Sequence, residues 1–208
     1  GHNSTLGQFN KKNWFKYIKS TFRYVKLSKN SKILEYGCGS GAFLSYWYKK
    51  KYNLYGIDYS NSLIKKCKKF YPNINVQKGE ISSIKKFKTE FDLIFSHSVF
   101  QYFDNYQYAK SLILKMLSVL NSKGYICILD VPDNKKKKKY YEKIKKLLGT
   151  KKFEKKYRKY KHTFYNKSFF KNLAKENNLQ IKIFNHKYKY NENSKYRYNV
   201  IFKKNLIN

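Results

Sequence analysis

Three glycines at alternate positions form the most informative segment of this sequence. Residues 33–41 read ILEYGCGSG, so a short apolar run leads directly into Gly37, Gly39 and Gly41. Glycines permit a tight turn and let the backbone approach a ligand closely. A helix after such a turn offers unpaired N–H groups and the positive end of its dipole, which favour a carboxylate or a phosphate. The pattern therefore predicts a strand, a ligand-binding turn and a helix.

Two acids flank this turn and restrict the ligand. Glu35 precedes the first glycine by two residues, and Asp58 ends the next apolar run, in YGIDYS at 55–60. A carboxylate at Glu35 suits an ammonium group and would repel a pyrophosphate. Asp58 can accept two hydroxyl hydrogen bonds at once. A competing role as a helix N-cap fits Ser60 better than Asp58.

Two alternatives to this interpretation stay open. Gly37, Gly39 and Ala42 also satisfy a loose G-x-G-x-x-A pattern, and Asp58 follows at a spacing that a dinucleotide site would use. The segment could also be a turn without a ligand, although three glycines flanked by two acids argue against it.

Further candidate residues follow the fourth apolar run, at 91–95. Ser96 and His97 come directly after it, and His97 is the first candidate for a general base because imidazole titrates near neutrality. The competing interpretation is that His97 only lines a pocket. His162 is the second candidate base. The predicted substrate contacts are Gln101, Tyr102, Tyr160 and Tyr165.

A sheet is needed to bring these residues together. Apolar runs and helical periodicities alternate along the chain, which is typical of βαβ units with a parallel sheet and helices on both faces. Strands are predicted at 32–36, 53–58, 74–78, 91–95, 125–130, 180–185 and 198–202, and helices at 13–25, 42–50, 61–70, 108–120 and 169–177. Ligands of such sheets bind outside the carboxyl ends of the strands, where the candidate residues stand.

The chain is predicted to hold one principal domain, at 31–208, after an N-terminal segment at 1–30. That segment contains a tag remnant, Gly1 and His2, followed by a helix. A lysine- and tyrosine-rich stretch at 131–165 interrupts the alternation. It is predicted to be a solvated helical insertion, and its place after the fifth strand would also suit a lid over a substrate.

The composition is strongly basic, with a formal net charge of +35 in 208 residues. Almost all basic residues are lysines, and A/T-rich codons encode the abundant Lys, Asn, Ile, Phe and Tyr, so codon bias explains the charge without a nucleic-acid partner. No apolar run is long enough to span a bilayer, so no membrane partner is expected. Three separated cysteines predict reduced thiols and a cytoplasmic location. Acids at 130 and 133 have no counterpart after the fourth strand, so no essential metal is expected.

The segment EYGCGSG at 35–41 resembles motif I of the class I S-adenosylmethionine (SAM)-dependent methyltransferases. The resemblance extends over about 31–130, and FDLIFSHSVF at 91–100 resembles motif IV. It implies an α/β fold with a doubly wound, Rossmann-like seven-stranded sheet of order 3-2-1-4-5-7-6, in which the last strand is antiparallel. Many relatives have Glu-His or His-His where this chain has Gln101-Tyr102.

The same resemblance implies a role for each cofactor-binding residue. Glu35 would contact the ammonium end of SAM, which Gly37 and Gly39 line, and Asp58 would hold the ribose. Glu80 would accept from the adenine amino group, although the family usually has Asp there. The remaining predicted cofactor contacts are Gly41, Tyr59, Ile81 and Ser96.

The sequence thus predicts transfer of a methyl group from SAM to a small polar metabolite, leaving S-adenosylhomocysteine (SAH). An oxygen acceptor is favoured, and the basic surface favours an anionic one, such as a phosphorylated or nucleotide-linked precursor of a bacterial surface glycan. The alternatives are an RNA methyltransferase, an NAD-binding oxidoreductase and a SAM-binding subunit without activity. The expected assembly is a monomer or a homodimer.

Overall fold

A computed structural model of the protein describes residues 11–50, 52–159, 161–185 and 192–205. Its centre is one seven-stranded sheet with the order β3-β2-β1-β4-β5-β7-β6. The strands are β1 (Lys32–Tyr36), β2 (Asn53–Asp58), β3 (Asn75–Lys78), β4 (Phe91–His97), β5 (Leu120–Pro132), β6 (Leu179–Asn185) and β7 (Arg197–Lys204). The predicted strand order is confirmed.

Strand direction divides the sheet into two parts. β1 pairs in parallel with both β2 and β4, and β2–β3 and β4–β5 are parallel as well. β7 runs antiparallel to β5 and to β6, as predicted for the last strand. The carboxyl ends of β1, β2, β3, β4 and β5 therefore lie at one edge of the sheet.

Helices cover both faces of the sheet. They are α1 (Lys11–Thr21), α2 (Asn61–Phe70), α3 (Tyr106–Leu117), α4 (Lys137–Leu148), α5 (Thr150–Lys159) and α6 (Lys167–Glu176). One buried apolar cluster joins the sheet to α3 and α6, and a second joins its other face to α1 and α2. This two-sided burial explains why the central strands are mostly apolar and do not alternate between apolar and polar residues.

The predicted helix at 42–50 is wrong. The structure has turns there and only a short 3₁₀ helix, Leu44–Tyr46. The carbonyl of Ala42, which an α-helix would use internally, instead accepts from the indole Nε1 of Trp14 at 2.9 Å and from the Ser45 hydroxyl at 2.7 Å. The glycine turn is consequently not followed by the long helix dipole that the sequence suggested.

Two other elements differ from the sequence prediction. β5 begins at Leu120, five residues before the predicted start, because a register shift opposite Phe91 and Leu93 of β4 accommodates the 121–124 segment within the strand. The 131–165 stretch contains two helices, α4 and α5, which Gly149 separates. Their aromatic side chains form a third buried cluster with Phe164 and Tyr196.

Within the described residues, no helix combines the length and the apolar character needed to cross a bilayer. Cys38, Cys67 and Cys127 are free thiols in the interior, as predicted from their spacing. Burial raises the pKa of the Cys67 thiol to about 11 and raises those of the other two as well.

Candidate functional site

The three glycines after β1 form a tight turn, as their sequence predicted. Gly37, Gly39 and Gly41 have φ angles of +78°, +53° and +82°, a region that residues with a side chain rarely adopt. A Cβ atom on Gly37 would lie 2.3 Å from Cγ2 of Val99, in the loop after β4. The first glycine is therefore required both by its backbone conformation and by the close approach of the neighbouring loop.

Asp58 ties the end of β2 to this turn. Its Oδ2 accepts from the backbone N–H of Gly39 and its Oδ1 from that of Ser60, both at 2.8 Å. Ser60 caps α2 by accepting from the N–H of Leu63, so the sequence assigned the cap to the correct residue. Each carboxylate oxygen has a second lone pair, so Asp58 is held in place and can still accept hydroxyl groups from a ligand.

Glu35 is a buried acid at the base of the turn. It is 3% exposed, accepts from the backbone N–H of Leu44, and has no hydrogen-bond partner for Oε2 among the described residues. Burial, followed by the nearby Asp58 carboxylate, raises its pKa well above the usual value. A cation placed between Glu35 and Asp58 would relieve this repulsion, so the pair fits a ligand with an ammonium group.

A further acid, Glu80, lies just after the end of β3, at the same edge of the sheet. Glu80 is exposed and precedes a 3₁₀ helix, Ile81–Phe87. Burial, followed by a hydrogen bond with Tyr108, raises the pKa of the Tyr36 phenol. The charges of Glu80 and Asp58 raise it further. Both acids thus lie close to one tyrosine, while Tyr59 is 77% exposed beside them.

The candidate base His97 lies at the end of β4 beneath aromatic rings. Its Nε2 is 3.2 Å from the hydroxyl of Tyr17, which belongs to α1. The ring of Phe43 lies against the imidazole with centroids 4.3 Å apart, and Trp14 approaches it edge-on at 6.3 Å. No sequence pattern predicted this arrangement, because Tyr17 and His97 are 80 residues apart.

Ser96, the residue before His97, is fully buried. Its hydroxyl oxygen has no hydrogen-bond partner among the described residues. A buried hydroxyl without a partner is unfavourable, so it marks a polar position that a ligand or a water molecule can satisfy.

A buried polar network that sequence reasoning missed joins β4, β5 and β7. Ser98 donates to the Asp130 carboxylate, and Arg197 donates to the side chain of Gln101 and, at 2.9 Å, to the Asp130 carbonyl. Ser98 and Asp130 have φ angles of 58° and 60°. Left-handed residues other than glycine often occur at functional sites. The scarcity of arginine was the one available sequence signal for Arg197.

His162 belongs to the aromatic cluster of the 131–165 stretch. The rings of Tyr102, Tyr140 and Tyr157 lie 5.6, 6.5 and 5.4 Å from it, and its Nδ1 is buried without a partner among the described residues. Burial, Arg197 and then Lys156 lower its pKa to about 4. At neutral pH the ring is uncharged, and its low basicity makes it a poor general base.

The structure separates the predicted substrate contacts. Tyr102 is 62% exposed next to His162, whereas Gln101 is buried and bonded to Arg197. Tyr165 is fully buried in the core, where its hydroxyl donates to the carbonyl of Phe100 at 2.9 Å. A direct contact between Tyr165 and a substrate does not fit this position, since its side chain completes the interior. Tyr160 lies outside the described residues.

Across the described ranges, no group of three or more His, Cys, Asp or Glu side chains has the geometry to hold a metal ion. Asp133 points its Oδ1 at the backbone N–H of Lys135, at 3.0 Å, and caps the turn before α4.

Comparison with known protein families identifies the fold. Residues 27–198 match a family described as a methyltransferase domain. The chain belongs to this family. The resemblance to class I SAM-dependent methyltransferases drawn from the glycine motif is thereby confirmed, and the dinucleotide interpretation of the same glycines is set aside. No curated protein matches the chain.

Solved structures with the same fold are distant in sequence. A TehB-like SAM-dependent methyltransferase from Corynebacterium glutamicum is 18% identical, with a TM-score of 0.62 and 93% of this chain and 88% of that chain covered. The plantazolicin methyltransferase BpumL, in complex with a desmethylPZN analog and SAH, is 20% identical, with a TM-score of 0.67 and coverage of 93% and 85%. Magnesium protoporphyrin IX methyltransferase from Synechocystis, with bound SAH, is 11% identical, with a TM-score of 0.71 and coverage of 98% and 91%.

We predict that Gly37→Ala destabilises the methyltransferase more than Gly39→Ala does. Both changes place a side chain at a positive φ, which costs roughly 1–2 kcal/mol. Only Gly37→Ala also meets Val99, which adds about 1–3 kcal/mol of overpacking, since the nearest atom to a Cβ at Gly39 is 3.8 Å away. Urea unfolding of both variants measures the difference. In the double variant Gly37→Ala/Val99→Ala, the stability lost to overpacking should be recovered. A lack of recovery would contradict the clash with Val99.

We predict that Glu35→Gln stabilises the ligand-free methyltransferase at neutral pH. Because the folded pKa of Glu35 lies above its ordinary value of 4.5, its ionisation disfavours folding, and this loss grows as pH rises through the folded pKa. Each unit of difference is worth about 1.4 kcal/mol once pH exceeds both values. Unfolding at several pH values between about 5 and 8 should show the advantage of the variant increasing.

The exposed Glu90 provides the matched control for this measurement. Glu90→Gln should leave the pH dependence of stability unchanged. An advantage of Glu35→Gln that shrinks with rising pH would show that the Glu35 carboxylate is not desolvated in the fold.

Proposed function

We propose that the protein transfers the methyl group of SAM to an oxygen atom of a small, polar, anionic metabolite and releases SAH. The observation that carries the proposal is a pair of acids beside the glycine turn, Glu35 near the end of β1 and Asp58 at the end of β2, with His97 at the end of the adjacent strand β4. Glu35 has an orphaned buried oxygen, and Asp58 is oriented by two backbone N–H groups.

The residues of the turn fit the parts of SAM. When bound, SAM supplies a methyl group on a positively charged sulfur. Glu35 would face the ammonium group, directly or through a water molecule, while Asp58 would accept from the ribose hydroxyls. Glu80 would accept from the adenine amino group at the end of β3. Tyr59, which is exposed, would be the outermost contact.

The acceptor side of the reaction depends on alignment and on one proton. Methyl transfer from a sulfonium is an in-line displacement, so holding the two reacting atoms close together supplies much of the rate. An alcohol must lose its proton as its oxygen attacks, and His97 is the imidazole at the end of β4 that would receive it. The pKa of His162, about 4, makes that residue the weaker candidate.

The electrostatics near His162 support an anionic acceptor. After burial, the positive charges of Arg197 and Lys156 are the causes that disfavour the protonated ring of His162. Tyr102 and the α4–α5 helices border the same place, which is where a lid over the acceptor would act. A phosphorylated or nucleotide-linked sugar has the negative charge and the hydroxyl groups that such a site selects. The monomeric or dimeric state and a cytoplasmic location remain part of this proposal.

We predict that Asp58→Ala weakens SAM binding by roughly 1–3 kcal/mol, the range for losing the hydrogen-bond partner of a charged group. Calorimetric titration with SAM and with SAH measures the change. Asp104→Ala removes an exposed acid and serves as the control for the loss of one negative charge. Equal affinity in the wild type and in Asp58→Ala would refute the ribose assignment.

We predict that His97→Ala lowers turnover by roughly 10²–10⁴-fold if the acceptor is an alcohol. The affinity for SAM should stay nearly unchanged, because the acids proposed to hold SAM lie on β1, β2 and the loop after β3. The rate of the wild type should rise with pH as the imidazole loses its proton, and the variant should lose that rise. An acceptor is first identified by screening metabolites for a SAM-dependent mass gain of one methyl group.

A His97→Ala variant within a few-fold of the wild type at every pH would remove His97 as the base. That result would point to an acceptor oxygen that is already ionised, with alignment as the main source of the rate. RNA in the same screen tests the competing substrate class, and methylated RNA would replace the metabolite in the proposal.

A further inference from the structure

A groove of about 800 Å³ lies between the C-terminal half of α1, the loop that follows α1, and the turns after the 3₁₀ helix Leu44–Tyr46. Five of the described residues that line it carry a positive charge, and they are Lys16, Lys19, Arg23, Lys26 and Lys50. We call it the cationic groove. None of its described lining residues is a proposed contact of SAM or of the acceptor. It is therefore a separate concave surface, large enough for one small ligand.

The basic composition of the chain does not by itself explain this concentration of charge. Lys and Arg make up 47 of the 208 residues of the chain but five of the twelve described residues that line the groove, so they are nearly twice as frequent there. No acid stands among those twelve, and within the described ranges none of the five cations pairs with a carboxylate. Because like charges around one concavity repel each other, an anion bound between them would relieve the repulsion.

Arg23 is the member of the groove best suited to a phosphate. It is one of three arginines in the chain, and a guanidinium matches two phosphate oxygens with a rigid fork of N–H donors. Its Cζ atom lies 4.4 Å from the ring centroid of Tyr24 and 4.9 Å from that of Phe184. One of its N–H groups donates to the carbonyl of Ser20 at 2.8 Å. The residue is nevertheless exposed, so these contacts orient the guanidinium and leave donors for a ligand.

The interior of the cationic groove is apolar. Its buried members are Phe22 and Trp47, whose rings pack edge-on with centroids 4.9 Å apart. The ammonium group of Lys50 lies 3.8 Å from the ring centroid of Tyr46, so a charge and an aromatic ring stand side by side at the rim. The other half-buried apolar side chains of the lining are Val25, Leu27 and Tyr52. Such surfaces stack against a nucleobase, whatever its sequence context.

We propose that the cationic groove is a second ligand site, which binds a nucleoside polyphosphate. The phosphates lie on the lysine side chains and on Arg23, and the base lies against the apolar interior. The recessed position of Phe22 and Trp47 favours a small ligand over a lipid surface, since a flat bilayer cannot reach side chains below a charged rim. The inference is independent of the acceptor and of the role of His97.

Calorimetric titration with ADP tests the proposal, with SAH at saturation so that the nucleotide cannot occupy the cofactor site. We expect ADP to bind more tightly than pyrophosphate, which lacks the base, and than adenosine, which lacks the phosphates. In Lys16→Gln/Lys19→Gln/Lys26→Gln, the affinity for ADP should fall by about tenfold or more, because three charged partners of the phosphates are lost. These lysines are exposed, so the variant should keep its fold.

The matched control removes the same net charge from exposed lysines of α2, in Lys65→Gln/Lys68→Gln/Lys69→Gln. It should keep the affinity for ADP within about threefold of the wild type, because the general field of the protein changes equally in both variants. An equal loss in the two triple variants would overturn the proposal in favour of general attraction between a basic protein and an anion. Pyrophosphate that binds as tightly as ADP would overturn the assignment of the base.

Two-dimensional ¹H–¹⁵N NMR of the same mixture locates the nucleotide. With SAH present, ADP should shift the amide signals of residues 16–27 and 46–50 and leave those of the glycine turn, 37–41, nearly unchanged. Shifts confined to the glycine turn would overturn the proposal, since ADP would then be competing for the cofactor site. A single-stranded oligonucleotide that shifts the groove signals where ADP does not would overturn it as well, and would make the groove part of a surface for a nucleic-acid chain.

Discussion

The parallel pairing of β1 with both β2 and β4 is the constraint on which the site depends. It brings the loops after three strands to one edge of the sheet, so closely that a side chain on Gly37 would collide with Val99. The glycine turn therefore serves the packing of two loops as well as the approach of a ligand. The same pairing places His97, at the end of β4, next to the loop that follows Glu35.

Acidic residues are concentrated at the edge of the sheet where the carboxyl ends of β1 to β5 lie, although the chain as a whole is strongly basic. The net charge is +35, yet five of the 12 acidic residues end or follow strands at this edge. They are Glu35, Asp58, Glu80, Asp130 and Asp133. Burying Glu35 near Asp58 lowers the stability of the ligand-free fold, because a desolvated carboxylate is unfavourable. This loss of stability is explained most simply by a cationic group of the ligand, which both acids would stabilise.

The part of this edge near β5 and β7 differs from the part around the glycine turn. Arg197 is buried with Asp130 and Gln101, and its charge affects His162. Trp14 and Tyr17 of α1 place their rings against His97. Asp130 pairs with Arg197 here, while the charge of Arg197 still disfavours protonation of His162. Low-dielectric surroundings strengthen these interactions, because buried charges are screened less than exposed ones.

The sequence by itself determined the parts whose physics is local. The glycine turn, the cap at Ser60, the bounds of α2 and the acids at the ends of β1 and β2 follow from residue type and short-range spacing, and the family resemblance supplied the strand order. The tertiary structure decided whatever depends on contacts between distant residues. Trp14 and Ser45 bond to the carbonyl of Ala42, which explains the absence of a helix at 42–50, and Tyr165 turns inward to the core. The contact of Tyr17 with His97 and that of Arg197 with Asp130 join residues 80 and 67 positions apart, and no pattern along a single chain encodes such a distance.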